Sequence, residues 1–165
     1  MKRLTLIRHA KSSWAEPNAS DFDRELNQRG ADNAPEMGRR LQARGCRPDA
    51  IVSSPARRAM TTATIFAGEI DFAEENITTD RRIYEASVGD LVAVSRGLDD
   101  AWNHVVLFGH NPGFTYFSNL LADAEIQNIP TCGVVDIECD IASWSELKEG
   151  CGRLREFDFP KNQCP

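Results

Sequence analysis

Two histidines in this chain each stand at the end of a short strand-like run. His9 follows Leu4-Thr5-Leu6-Ile7-Arg8, and His110 follows Val105-Val106-Leu107-Phe108-Gly109. Runs of this kind read as buried strands of a parallel sheet. Ligands of open parallel α/β sheets bind beyond the carboxyl ends of the strands. Two imidazoles far apart in sequence are therefore expected at one crevice. Arg8 adjoins the first, and Arg57 follows a third apolar run, Ala50-Ile51-Val52. Two histidines with two arginines at one sheet edge point to phosphate chemistry.

Phosphoryl transfer spreads negative charge over three oxygens, so it needs positioning and cationic donors more than covalent machinery. The planar guanidinium of arginine supplies paired, charge-assisted hydrogen bonds. Helix N-termini supply free N–H groups. Ser54-Pro55 and Asn111-Pro112 both read as helix starts, placing Arg57 in a first turn and His110 just ahead of one. A nucleophile is also required. The chain has no Walker A lysine loop, no Cys-x5-Arg loop and no cluster of acidic metal ligands. By elimination a histidine takes that role, attacking as neutral imidazole, which its ordinary pKa of roughly 6.5 permits near neutral pH.

The elements that must hold these groups alternate between strand and helix. A strand over Arg3 to Arg8 leads into a long polar loop, Ala10 to Leu26. A helix capped by Asn27 follows to about Arg44, with Ala34, Met37 and Leu41 inward and Gly45 as its stop. Pro35 marks either the first turn of a later-starting helix or a kink. Ala50 to Ser53 is a strand. The next helix takes Ser54 as N-cap and Pro55 as first residue, and buries Ala59, Met60, Ala63, Phe66 and Ala67. Thr79 to Ile83 is a weaker strand. The helix after it uses Leu91, Val94, Leu98 and Trp102. Val105 to Phe108 is the fourth strand, and Phe114, Phe117, Leu120 and Leu121 face inward from the last helix. Val135, Ile137 and Cys139 then alternate with Asp136 and Glu138, and Phe157 and Phe159 flank Asp158. That alternation suits half-buried edge strands in an antiparallel pair. The expected fold is a three-layer α/β/α sandwich with a mainly parallel sheet and an antiparallel edge. No repeat or linker interrupts it, so residues 1–165 read as one domain.

Composition narrows the function. A chain of this length buries roughly 70% of its unfolded surface, enough for its own core. A net charge of −6 argues against nucleic acid or anionic membrane as a partner, and makes a basic pocket more informative. The five cysteines are odd in number and lack C-x-x-C spacing, so they read as reduced thiols of a cytoplasmic protein. The first apolar run is too short for a signal peptide or membrane span.

Four segments resemble the histidine phosphatase superfamily, which has a phosphoglycerate mutase-like fold. Leu6-Ile7-Arg8-His9-Ala10 resembles its R-H-G/A signature. Ser53-Ser54-Pro55-Ala56-Arg57-Arg58-Ala59 resembles its S-S-P-x-x-R-A segment. Gly109-His110-Asn111-Pro112 resembles its second-histidine segment, and Leu26-Asn27-Gln28-Arg29-Gly30 completes the family order. Within the superfamily, Arg8-His9-Ala10-Lys11-Ser12, Asp21-Phe22-Asp23-Arg24 and the short length resemble the SixA-like phosphohistidine phosphatases. The resemblance implies that His9 is the nucleophile and that Arg8, Arg57 and His110 bind phosphate oxygens. It implies a metal-independent phosphatase without cofactor.

Glu85 lies where many superfamily members carry a catalytic acid, and Lys11 and Ser12 are candidate phosphate contacts. Glu69 to Ile83 and Ala122 to Gly133 leave little room for the lid of the longer mutases. An open site suits a phosphohistidine-bearing protein, a phosphotransfer domain or phosphocarrier; a small phosphorylated molecule is the alternative. A non-catalytic phosphoprotein-binding module and a metal hydrolase are further readings. Flanking arginines would repel the cation of the latter. His104 is read as structural, Arg58 as a solvated helix residue, and Asp21, Asp23 and Arg24 as ties for the long loop. Trp14 is either a loop anchor or a partner contact.

Overall fold

A computed structural model describes residues 1–162. Six strands form one sheet in the order β3-β2-β4-β1-β5-β6. They are β1 (Lys2–Arg8), β2 (Ala50–Ser53), β3 (Thr78–Thr79), β4 (His104–Gly109), β5 (Val134–Cys139) and β6 (Gly152–Asp158). β1, β2, β3 and β4 run parallel, while β5 is antiparallel to β1 and β6 to β5. The helices are α1 (Gln28–Ala43), α2 (Arg57–Glu69), α3 (Val88–Arg96) and α4 (Gly113–Ala122).

The strands carry large apolar groups on both faces because helices cover both. Leu4, Leu6, Val105, Leu107, Val135 and Ile137 pack beneath α3 and α4, around the fully buried Trp144. Ile7, Ile51, Val106, Phe108 and Val134 pack against Ala34, Met37, Ala63 and Phe66 of α1 and α2. This is the three-layer sandwich expected from the alternating pattern. The antiparallel pair lies as expected at one side, though only β6 is an edge. β5 is inserted between β1 and β6, and its Asp136 is buried because it accepts the Arg3 guanidinium, Nη2 to Oδ2 at 2.6 Å.

Local chemistry explains most element boundaries. The Asn27 side chain accepts the Gly30 N–H and caps α1. Pro35 lies inside that helix, which starts at Gln28 all the same. Gly45 follows it with φ of +78°, the left-handed turn that glycine tolerates best. Three expectations are corrected. Thr79 to Ile83 is mostly not strand: β3 has two residues, then Arg81–Ile83 form a 3-10 turn capped by Asp80. α3 starts at a Ser87–Asp90 capping box and stops at Gly97, so Leu98 and Trp102 reach the core from a loop. α2 begins at Arg57 with Ala56 before it, not at Ser54-Pro55: the Ser54 hydroxyl accepts the Ala56 N–H at 3.2 Å, ahead of the first helical turn.

Cys46, Cys132 and Cys139 are buried free thiols and Cys151 is half-buried; Cys164 lies outside the described residues. No helix among the described residues is long and apolar enough to cross a membrane.

Candidate active site

Strand register brings the two histidines together. Arg8 of β1 pairs with Gly109 of β4, so His9 and His110 are each one residue beyond the same rung. The His9 N–H donates to the Gly109 carbonyl at 3.0 Å. The two rings lie 5.2 Å apart between centroids, and both residues are buried.

The His9 ring is held in one orientation. Its Nδ1 lies 2.7 Å from the main-chain oxygen of Ala10, an acceptor only. Nδ1 must therefore carry the proton, which leaves Nε2 unprotonated, with its lone pair toward the Arg58 Nε–H at 3.4 Å. Burial first, and then the nearby His110, Arg58 and Arg8, push the His9 pKa down to about 3 against the Ala10 hydrogen bond. The His110 pKa is pushed down to about 4 by burial, then by Arg58 and Arg8. Both imidazoles are thus neutral at pH 7. His110 Nε2 is hydrogen-bonded to the Ser54 Oγ at 2.8 Å. Its Nδ1, like Arg8 Nε, is buried without a protein partner.

Arg8 is half-buried, with Nη1 donating to the Ile129 carbonyl at 2.8 Å. That contact and the bond from Asn111 Nδ2 to the same carbonyl, 2.9 Å, pin the 126–129 segment beside the site. Burial lowers the Arg8 pKa, as does the nearby Arg58 charge.

The second arginine at the histidines is Arg58, not Arg57. Arg58 is buried and its Nε lies 3.4 Å from His9 Nε2. Arg57 is exposed, ion-paired with Glu25 at 2.8 Å, and turned to a cavity of about 230 Å³ walled by the 13–26 loop. The reason is helix phase. Arg58 lies one turn before Thr62, whose hydroxyl donates back to the Arg58 carbonyl at 2.7 Å and accepts the Ala10 N–H at 3.0 Å. The apolar stripe alone leaves both arginines on its flanks. The signal that separates them is spacing: in Ser53-Ser54-Pro55-x-x-Arg the arginine falls on 58.

The remaining candidates are placed as follows. Ser12 is buried and accepts from Arg24 Nη2, within the loop. Lys11 is half-buried, and among the described residues its side chain has no polar partner. Glu85 is exposed at the rim with φ of +55°, next to Tyr84, whose ring stands edge-on to His110 at 5.5 Å. His104 is remote from this end, with Nε2 bonded to Thr5 Oγ1 at 2.8 Å. Trp14 is 74% exposed, with the Arg24 guanidinium 3.4 Å from its ring centre. Sequence reasoning missed Asp21, Ser54 and Tyr84 as neighbours of the site. Among the described residues no three His, Cys, Asp or Glu side chains are grouped to hold a metal ion.

A central parallel pair ending in two histidines, within this sheet order, defines the phosphoglycerate mutase-like α/β fold. The chain belongs to the histidine phosphatase superfamily, branch 1, whose family model matches residues 4–113. The sequence is 28% identical to an uncharacterized Mycobacterium tuberculosis protein over 94% of this chain and all of the relative. It is 31% identical to a 2,3-bisphosphoglycerate-dependent phosphoglycerate mutase of Beijerinckia indica, covering 59% of this chain and only 47% of the mutase. A crystal structure of SixA from Agrobacterium tumefaciens superposes with a TM-score of 0.81 at 27% identity, over 96% of this chain and 98% of that one. A SixA complexed with tungstate gives 0.82 at 19% identity, over 96% and 97%.

Proposed function

We propose that this protein is a phosphatase that works through a covalent phosphohistidine at His9 and removes phosphate from phosphohistidine on another protein. The observation that carries the reading is the fixed His9 ring, with Nδ1 on Ala10 and Nε2 facing Arg58 at 3.4 Å. That is a neutral nucleophile aimed among cations. Relatives named as phosphohistidine phosphatases, and one complexed with the oxyanion tungstate, agree with it.

The chemistry follows from the groups present. His9 Nε2 attacks phosphorus, forming an N–P bond as the substrate's own P–N bond breaks. The departing imidazole keeps the electron pair and takes a proton from solvent. Water then attacks phosphorus, the Nε2–P bond breaks, and its electron pair returns to neutral His9. Arg8, Arg58 and His110 would face the phosphoryl oxygens, with Arg58 in the role first assigned to Arg57. Charge developing on those oxygens is stabilised by donors already in place. Arg8 and Arg58 also repel a divalent cation from the histidines, so the reaction is proposed to need no metal. Buried free thiols at Cys46, Cys132 and Cys139 fit a cytoplasmic setting.

Phosphate release should be measured from a phosphohistidine carrier protein and from an alkyl phosphate, in EDTA. His9→Ala is the control. Release from the carrier that is lost in His9→Ala, with acid-labile phosphate trapped on the wild type, is expected. Undiminished turnover by His9→Ala would refute the mechanism. Preference for the alkyl phosphate would move the assignment to a small-molecule phosphatase.

A further inference from the structure

Arg58 rises from α2, but its guanidinium is held by a distant loop. Its Nη1 donates to the Asp21 main-chain carbonyl at 2.6 Å, and its Nη2 to Asp21 Oδ2 at 3.1 Å. That same Oδ2 accepts the Tyr84 hydroxyl at 2.6 Å. Tyr84 in turn sets its ring edge against His110, centroids 5.5 Å apart, and against Phe22 at 5.2 Å. Arg81 lies 5.5 Å over the Phe22 ring. The 20–24 turn and the 81–85 turn therefore close on each other above the site, one touching Arg58 and the other His110.

We propose that Asp21 and Tyr84 are positioning residues: their clasp fixes Arg58 Nε and the His110 ring against His9. Asp21 engages both terminal nitrogens of Arg58, and in that orientation Nε faces His9 Nε2 at 3.4 Å. Without Asp21, Arg58 would be free to swing from the neighbouring Arg8, whose charge repels it. The carboxylate is held ionised, down to about 2, first by the Tyr84 hydrogen bond, so it keeps its charge at any working pH. Tying down the long loop does not by itself account for the clasp. Arg24 anchors that loop to Ser12, to the Ser13 carbonyl and to the Trp14 ring, and it reaches Asp21 only through Oδ1, at 3.0 Å, which leaves Oδ2 to Arg58 and Tyr84.

The proposal rests on the phosphoryl-transfer reading above, and its test separates the two. Asp21→Ala, Asp21→Asn and Tyr84→Phe should be compared with wild type for kcat on a phosphohistidine carrier, vanadate affinity and thermal melting. Misplacement of one group by about an ångström costs on the order of 100-fold. Asp21→Ala should lose about that much in kcat, with vanadate affinity falling in parallel. Asp21→Asn and Tyr84→Phe should lose less, in the same direction. Variants that melt earlier yet keep wild-type kcat and vanadate affinity would reduce the clasp to a loop anchor and overturn the proposal. If wild type forms no phosphohistidine at His9, the functional reading falls instead, and the vanadate comparison alone decides the clasp.

Discussion

Arg58 Nε lies 3.4 Å from His9 Nε2, while Arg57, one residue earlier on α2, points away to Glu25. Adjacent arginines thus have opposite fates, and substitution should expose this. If phosphoryl transfer occurs at His9 as proposed, Arg58→Ala removes a buried donor from beside the developing charge, a loss on the order of 100- to 1,000-fold in kcat. Arg57→Ala removes an exposed ion pair, worth roughly 0–1 kcal/mol to stability, and should leave kcat near wild type. Steady-state rates of the two variants decide it. A larger loss in Arg57→Ala would return the phosphate contact to Arg57.

The contrast shows where sequence is informative. β1 and β4 are legible because strands buried on both faces must be apolar, and a polar residue ending such a strand is conspicuous. Caps are local, so Asn27 and Gly45 announce the ends of α1. Ser54 carries the same helix-start chemistry and accepts the Ala56 N–H, but its hydroxyl also bonds His110, a partner set by sheet register that no local pattern announces. Leu98 and Trp102 keep helical spacing and reach the core without being helical, since burial does not require a helix. Asp21 and Tyr84 meet Arg58 only through the fold, and no local pattern marks either of them; Arg58 alone is marked, by its spacing from Pro55.

α1 approaches the loop after β1 at Gly30, where a Cβ would stand 2.2 Å from the Lys11 carbonyl oxygen. That oxygen already accepts the Asn27 N–H at 3.0 Å. Gly30→Ala must push the backbone apart, and overpacking of this kind costs roughly 1–3 kcal/mol. Urea denaturation should show that loss, together with reduced kcat because the displaced segment follows His9 directly. An unchanged midpoint would mean the helix start can shift freely.

Acid should destabilise the fold before its carboxylates titrate. Burial pushes His9 down to about 3 and His104 and His110 to about 4, from 6.5. Above 6.5 these imidazoles are neutral folded or unfolded, and the stability is fully present. Between 6.5 and about 4 only the unfolded chain binds the protons, so stability falls as pH falls through that window. Each histidine contributes a slope of up to about 1.4 kcal/mol per pH unit. Urea midpoints between pH 7.5 and 5 should drop, and His104→Gln, distant from the site, should flatten the slope. Direct titration of His9 by NMR should show no inflection near 6.5; one there would contradict the buried, neutral nucleophile.

Substitution of Glu85 tests which phosphorus bond the proposed reaction breaks. Glu85 holds a left-handed backbone, φ +55°, unusual for a residue with a side chain, on the rim beside Tyr84. Strain of that kind costs about 1–2 kcal/mol and concentrates at functional positions. An alkoxide leaving from a monoester needs a proton, and general acids contribute roughly 100- to 10,000-fold. Imidazole leaving from phosphohistidine is far less demanding. Glu85→Gln should therefore cut turnover of an alkyl phosphate by about 100-fold, the lower end of that range for an exposed carboxylate. Turnover of a phosphohistidine carrier should fall much less. Equal losses on both substrates would show that Glu85 acts on the site's geometry or charge rather than as an acid. No loss on either would leave its strained backbone as a matter of rim shape alone.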